Sequence, residues 1–128
     1  MILLLDTSTA ICKLVFVDGN ERYETEWQAD RNLAKGLLQY LFDQLAKRNK
    51  TWGDISGIGV FRGPGSFTGL RIGLTVLNTI ADSESLPIVG GEGEDWQMMV
   101  LGKLQNGENE KIVLPLYGSE AHITKPRK

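Results

Sequence analysis

The 128-residue sequence has very few of the side chains that bind metals or close disulfides. It contains one cysteine, Cys12, and one histidine, His122. A single cysteine cannot close a disulfide within the chain, and these two residues are too few soft ligands for a structural zinc site. The sequence therefore predicts a protein of a reducing compartment with no metal centre.

Long hydrophobic runs and a large excess of one charge are also missing. The apolar start at residues 2–5 has no cationic leader and stops at Asp6, far below the length of a signal peptide or membrane span. We expect a cytoplasmic protein with no membrane partner. Fourteen basic and 16 acidic residues give a net charge of −2, so direct binding of nucleic acid phosphates is disfavoured.

The pattern of apolar residues indicates an α/β fold. Strands are predicted at residues 2–5, 11–17 and 22–27, joined as antiparallel neighbours, and further strands at 57–61, 87–90 and 112–117. Helical spacing predicts Leu33–Lys47, capped by Asp30, then 67–81 and a third helix over 96–104. Three antiparallel strands followed by parallel ones give a mixed five-stranded sheet covered by helices.

The first two predicted helices are more apolar than one sheet requires. Apolar residues of the first helix span roughly 240° on a helical wheel, whereas packing on a sheet needs a stripe somewhat over 100°. Gly36, Gly69 and Gly73 each cost up to about 1 kcal/mol relative to alanine in a helix. Close approach of a partner and close packing on the chain's own sheet explain these glycines equally well.

The loop Gly63-Pro64-Gly65-Ser66 joins a strand to a helix, which is the general form of a phosphate cradle. It lacks the Gly-Lys-Ser/Thr ending of a Walker loop, and a tight connection is the commoner explanation of such a turn. Asp6 with Thr7, after the first strand, can bind a metal-phosphate unit, although a buried aspartate bonded to turn amides is more common. Cys12 lies inside an apolar strand with no histidine nearby in the sequence, so it is expected in the core and no catalytic residue is assigned.

The longest motif is Arg62-Gly63-Pro64-Gly65-Ser66-Phe67-Thr68-Gly69-Leu70-Arg71-Ile72-Gly73. This run resembles the TsaB (YeaZ) family, as do Leu3-Leu4-Leu5-Asp6-Thr7-Ser8-Thr9 at the first strand and Leu86-Pro87-Ile88-Val89-Gly90 after the second helix. Leu114-Pro115-Leu116-Tyr117 is similar to the family's C-terminal signature. The resemblance is continuous over residues 1–90, and the second lobe that most members carry is expected to be absent.

The resemblance implies a single actin-like (ASKHA) lobe and a non-catalytic subunit that pairs with TsaD. With TsaE, the two would install threonylcarbamoyl on the adenosine beside the anticodon of tRNA, which this chain would touch only through the complex. A homodimer is implied when the chain is alone, and ATP or ADP is possible only at a junction with partner subunits. The paired metal-binding histidines of the catalytic homologue have no counterpart, because the helix has Leu33 and Ala34 there.

We therefore expect residues 1–105 to form the lobe and residues 106–128 a polar linker, a short strand and a basic tail. The partner surface is predicted on the two helices, through Leu33, Gly36, Leu37, Tyr40, Gly69, Arg71, Gly73, Val76, Leu77 and Ile80. A vestigial or junctional cofactor site is predicted at Asp6, Gly63, Gly65 and Ser66.

Two other functions are open: a stand-alone actin-like ATPase or kinase lobe, and a self-associating module with no part in tRNA modification. Length disfavours the first, since such enzymes hold their nucleotide in a cleft between two lobes.

Overall fold

A mixed five-stranded sheet is the centre of the structure, a computed structural model that describes residues 1–116. The strands lie in the order β3-β2-β1-β4-β5. They are β1 (Ile2–Asp6), β2 (Ile11–Asp18), β3 (Glu21–Gln28), β4 (Gly57–Gly63) and β5 (Ile88–Glu92). The first three pair antiparallel, whereas β4 pairs parallel with both β1 and β5. The predicted sheet is confirmed, with strand boundaries close to their predicted positions.

Helices cover both faces of this sheet: α1 (Leu33–Lys47) and α2 (Phe67–Glu84) pack on one side and α3 (Trp96–Gln105) on the other. Strand β1 shows how the sequence produces this arrangement. Leu3 and Leu5 lie in the core beneath α1 and α2, while Leu4 between them packs with Val100 of α3. Successive side chains of a strand point to opposite faces, so an unbroken apolar strand is buried on both sides.

The start of α1 differs from the prediction. Asp30 is not its N-cap: it has φ +48° and opens a short 3-10 turn, Asp30–Asn32, before α1 begins at Leu33. The carboxylate accepts a hydrogen bond from Gln28 Nε2 at 3.3 Å. This turn separates Asp30 from the first free amides of α1, so its carboxylate caps none of them.

The predicted last strand is wrong over its described residues, 112–116, which form no strand; Tyr117, His122 and the basic tail lie outside the described residues. Residues 106–116 instead follow the outer edge of β5. Asn109 Oδ1 accepts from the Ile88 amide at 3.1 Å, and Glu110 Oε1 accepts from the Gly90 amide at 2.9 Å. The Glu110 backbone amide also donates to the Ile88 carbonyl at 2.9 Å. One backbone bond and two side chains therefore occupy hydrogen-bonding positions that a sixth strand would fill with backbone alone.

The same segment is anchored to α2 through Val113. The side chain of Val113 is buried in the core, and its backbone N–H and C=O both pair with the Asn78 amide group at 2.9 Å. The segment that follows α3 is thus packed on the lobe rather than free of it.

Candidate functional site

A groove of about 400 Å³ lies between α1 and α2, on the side of the two helices turned away from the sheet. The described residues that line it are three apolar side chains, two threonines and one arginine: Ala34, Ile72, Val76, Thr68, Thr75 and Arg71. We call this the α1–α2 groove. The arrangement can bind an apolar helix surface, and it brings together no set of acids, bases or nucleophiles.

Exposed apolar side chains extend this groove along α1. Leu38 and Phe42 follow Ala34 at four-residue spacing, which places all three in one row on the helix surface. Each of the two larger side chains is 56% exposed. Together with Ile72 and Val76 they form an apolar surface shared by two helices.

Arg71 is the one charged residue among the described residues that line the groove. Its guanidinium lies over the ring of Phe67, 5.2 Å from the ring centroid, at the first turns of α2. Such a cation–π contact holds an exposed arginine in a defined place.

Most of the predicted partner-binding residues lie in the chain's own core. Leu33, Leu37, Leu77 and Ile80 are buried beneath α1 and α2, two of them with no exposed surface at all. The centre of the wide apolar arc packs on the sheet, so these four side chains are not available to a partner, and a partner surface on the rest of the arc stays a prediction.

The three helix glycines are also explained within the chain. A Cβ at Gly69 would lie 2.2 Å from the Thr7 carbonyl oxygen, and one at Gly73 would lie 2.2 Å from Thr7 Oγ1. A Cβ at Gly36 would meet the Trp27 ring of β3 at 2.9 Å. Of the two explanations, close packing on the chain's own sheet is therefore confirmed.

Tyr40 lies on the same side of α1 as Gly36. Its ring stacks on Trp27 with centroids 5.0 Å apart, and its hydroxyl donates to Thr25 Oγ1 at 3.2 Å. This contact holds α1 on β3 and turns Tyr40 away from the groove.

Only Arg71 and Val76 of the ten predicted partner residues line the groove. The residues missed by the sequence reasoning include Leu38, Phe42 and Ile72. One feature of the sequence could have indicated these residues. They lie at the margins of the apolar arcs, outside the stripe of each helix that can pack against the sheet.

The glycine-rich loop forms a tight connection. A Cβ at Gly65 would lie 2.6 Å from the Ser8 Cβ, and the Ser66 amide donates to the Ser8 carbonyl at 3.0 Å. Ser66 caps α2 by accepting from the Gly69 amide at 3.3 Å. The amides expected to face a phosphate are thus partly used by the β1–β2 turn and by the helix cap.

Gly63 and Asp6 have similarly local contacts. Gly63 has φ +134°, and a Cβ there would lie 2.1 Å from the Leu116 carbonyl oxygen. Asp6 Oδ1 accepts from the Ser8 amide at 2.8 Å, which is the turn contact considered as the alternative. Nucleotide contact by the four predicted cofactor residues stays a prediction.

Cys12 lies in the core, as predicted. It is 1% exposed, and burial, with a smaller contribution from Asp6, raises the pKa of its thiol to about 12. A thiol in this state is not a nucleophile at neutral pH. Within residues 1–116, no three His, Cys, Asp or Glu side chains are grouped to hold a metal ion. None of the helices described in this range has both the length and the apolar character to span a membrane.

Residues 27–92 match the family model described as TsaD, tRNA N6-adenosine threonylcarbamoyltransferase. Among curated proteins, the TsaB protein (tRNA threonylcarbamoyladenosine biosynthesis) of Buchnera aphidicola is 33% identical over 88 residues, 69% of this chain and 40% of its own length. The TsaB protein of Escherichia coli is 33% identical over 90 residues, which are 70% of this chain and 38% of its own length.

A solved structure of YeaZ from Pseudomonas aeruginosa superposes with a TM-score of 0.66 at 28% identity, over 71% of this chain and 43% of that one. The chain spans about 40% of the length of the curated relatives it matches. The family model covers just over half of the chain and includes β4, α1 and α2 in full. The chain therefore belongs to the TsaB (YeaZ) family, and its described residues have the α/β architecture of the actin-like fold.

Proposed function

We propose that this chain is a non-catalytic subunit in the biosynthesis of threonylcarbamoyladenosine in tRNA, and that it acts by docking a TsaD protein on the α1–α2 groove. The groove with its exposed apolar margin is the observation that carries the proposal. The names of the curated relatives supply the pathway.

The surface has the composition of a protein interface. Leu38 and Phe42 are both more than half exposed, whereas the solvent-facing side of a surface helix is usually polar. Ile72 and Val76 lie across the groove from Ala34. Covering such a surface removes apolar area from water, at about 25 cal/mol per Å² before the costs of association are subtracted.

The family comparison supports a TsaD protein as the partner. The matched segment, residues 27–92, includes both α1 and α2, so a protein described by this model has a comparable helix pair. Two such pairs can pack as a four-helix arrangement in which each apolar face covers the other.

Catalysis in this proposal belongs to the TsaD protein, whose family is described as a transferase. Bound to the groove, this chain stabilises a competent conformation of its partner, which needs no reacting group here. TsaE joins the assembly in the cytoplasm, and tRNA is contacted through the complex. The buried Cys12 thiol with its raised pKa is consistent with a subunit that supplies no nucleophile.

Reconstitution of tRNA modification tests the proposal. TsaD and TsaE from the same genome are incubated with threonylcarbamoyl-adenylate and tRNA, with or without this chain. The chain is expected to stimulate modification, and Leu38→Glu to lose most of that stimulation because a carboxylate enters the apolar surface.

The matched control is Met98→Glu on α3, which introduces the same charge at a side chain that is 75% exposed on the other side of the sheet. It should retain the stimulation of the unchanged protein. Equal modification with and without the chain would contradict the proposed function. Equal loss in both variants would contradict the choice of surface.

A further inference from the structure

We propose that the partner presents a carboxylate to Arg71 when its helix occupies the α1–α2 groove. The inference rests on the proposed function and adds the chemistry by which the partner is selected. It starts from the position of Arg71, the one charge among the described residues that line the groove.

Arg71 is placed for contact with a bound helix. It is exposed and lines the groove beside Ile72 and Thr75, and its guanidinium is held over the Phe67 ring at 5.2 Å. The other lining residues carry no charge. Asp30 and Arg31 line an adjoining pocket that shares Thr68 and Ile72 with the groove, beyond its own lining. A helix lying in the groove itself therefore meets the Arg71 cation, at a fixed position near the start of α2.

The part of the chain that the structure describes supplies no anion to this guanidinium. The ion pairs of residues 1–116 are made by Arg22, Arg62 and Lys103 instead. In the free protein, water can solvate Arg71, because the side chain is exposed.

Docking changes this balance, because a partner helix displaces that water. A charge buried at an interface without a counter-charge is strongly unfavourable, whereas a well-placed partner charge compensates it. A carboxylate also matches the planar fork of a guanidinium with two parallel hydrogen bonds. The groove thus favours an apolar helix with an aspartate or glutamate at the position that faces Arg71.

A second copy of the chain offers a carboxylate as well. Asp82 lies on the same exposed stripe of α2, about three helical turns from Arg71, so antiparallel α2 helices can pair the two. Such a contact centres on Thr75 and Thr79. The match of residues 27–92, which include both α1 and α2, to the TsaD family model favours a TsaD protein as the occupant, and a second copy is the alternative outcome of the test.

The test is titration calorimetry of this chain with TsaD of the same genome, at low and high salt. Arg71→Gln is expected to weaken binding by about tenfold or more, and Arg71→Glu to weaken it further because two carboxylates then repel each other. The salt dependence of binding should fall in Arg71→Gln.

Two controls accompany these variants. Lys13→Gln removes the same charge from an exposed position on the opposite face of the sheet, between the core residues Cys12 and Leu14. Asp82→Asn removes the acceptor that a second copy would use. Both should bind TsaD within about twofold of the unchanged protein, and all variants should keep its melting temperature, since each position is exposed.

The outcomes separate the two claims. Absence of binding by the unchanged protein would overturn both the proposed function and this inference. Normal binding by Arg71→Gln would overturn the inference alone. If Arg71→Gln and Arg71→Glu bind TsaD with equal affinity, the group of the partner that faces position 71 is neutral, and the inference is also overturned. If Asp82→Asn and Arg71→Gln equally disrupt self-association while both bind TsaD normally, the second copy is the occupant.

Discussion

At the scale of single residues, Thr7 makes the contact that sets the position of α2. Its Oγ1 donates to the Gly69 carbonyl at 2.7 Å, and the side chain is buried against Gly73. The helix approaches the end of β1 this closely because positions 69 and 73 have no side chain. A substitution there acts on the chain's own fold, so Gly73→Leu would report on folding rather than on an interface.

We expect Gly73→Ala to lower the free energy of unfolding by about 1 to 3 kcal/mol, because the added methyl group overpacks Thr7. Urea denaturation measures this change. Gly102→Ala in α3 is the matched control, since a Cβ there meets no atom within 4 Å. It should be neutral or stabilising by up to about 1 kcal/mol, from helix propensity alone. Equal stabilities of the two variants would contradict the assigned contact.

Cys12 should be unreactive while the protein is folded. The thiol is buried and its pKa is raised to about 12, so almost no thiolate is present or accessible at pH 8. We expect an aromatic disulfide reagent to label Cys12 only after denaturation in urea, with absorbance of the released thiolate as the measurement. Rapid labelling of the native protein would show that β2 is not buried as described.

At the scale of elements, the outer edge of β5 is closed mainly by side chains, together with one backbone bond from the Glu110 amide to the Ile88 carbonyl at 2.9 Å. Lys103 Nζ donates to the Gly90 carbonyl and to Glu110 Oε2, both at 2.8 Å, and Glu110 accepts from the Gly90 amide. Burial raises the pKa of Glu110, but the hydrogen bonds from Lys103 and Gly90 outweigh burial and hold it below its ordinary value. The carboxylate form is thus the one that closes the edge.

Glu110→Gln should therefore destabilise the protein in a pH-dependent manner. A carboxyl whose pKa is lowered on folding stabilises the fold above its ordinary pKa of 4.5, and that contribution disappears as the pH falls through the folded-state value. We expect the free energy of unfolding of the unchanged protein to exceed that of the variant by roughly 0.5 to 1 kcal/mol at pH 7. The difference should close in acid.

Glu108→Gln is the control, because Glu108 is an exposed neighbour whose side chain has no hydrogen bond within the described residues. Thermal unfolding of the three proteins between neutral and acidic pH measures the effect. A difference that stays constant down to acid pH would mean that the Glu110 charge does not close the edge.

The elements themselves were predictable because their apolar patterns are strongly periodic. The apolar, β-branched run of β2, the alternation of β3 and the helical spacing of the leucines of α1 indicate these strands and this helix directly. Asp30 and residues 112–116 were not predictable in this way. No local sequence pattern predicts the positive φ of Asp30. Val113 is held by hydrogen bonds to Asn78, which is 35 residues away in the sequence.

The candidate site was predictable only in its elements. The apolar arcs of two helices do not reveal which of their residues face the sheet. The sequence also could not show that the helix glycines pack inward, because Thr7 and Trp27, which they contact, are remote from them in sequence. At the scale of the whole molecule, the sheet buries the centre of each arc. The margin with Leu38, Phe42, Ile72 and Val76 is what stays exposed between the helices.

Thiol footprinting of the complex with TsaD tests the central claim most directly. The chain has one cysteine, and it is buried, so Leu38→Cys, Thr75→Cys and Met98→Cys each add a single accessible thiol. TsaD in excess should slow the labelling of the first two by about tenfold or more and leave the third unchanged. Equal labelling rates with and without TsaD at positions 38 and 75 would contradict docking on the α1–α2 groove.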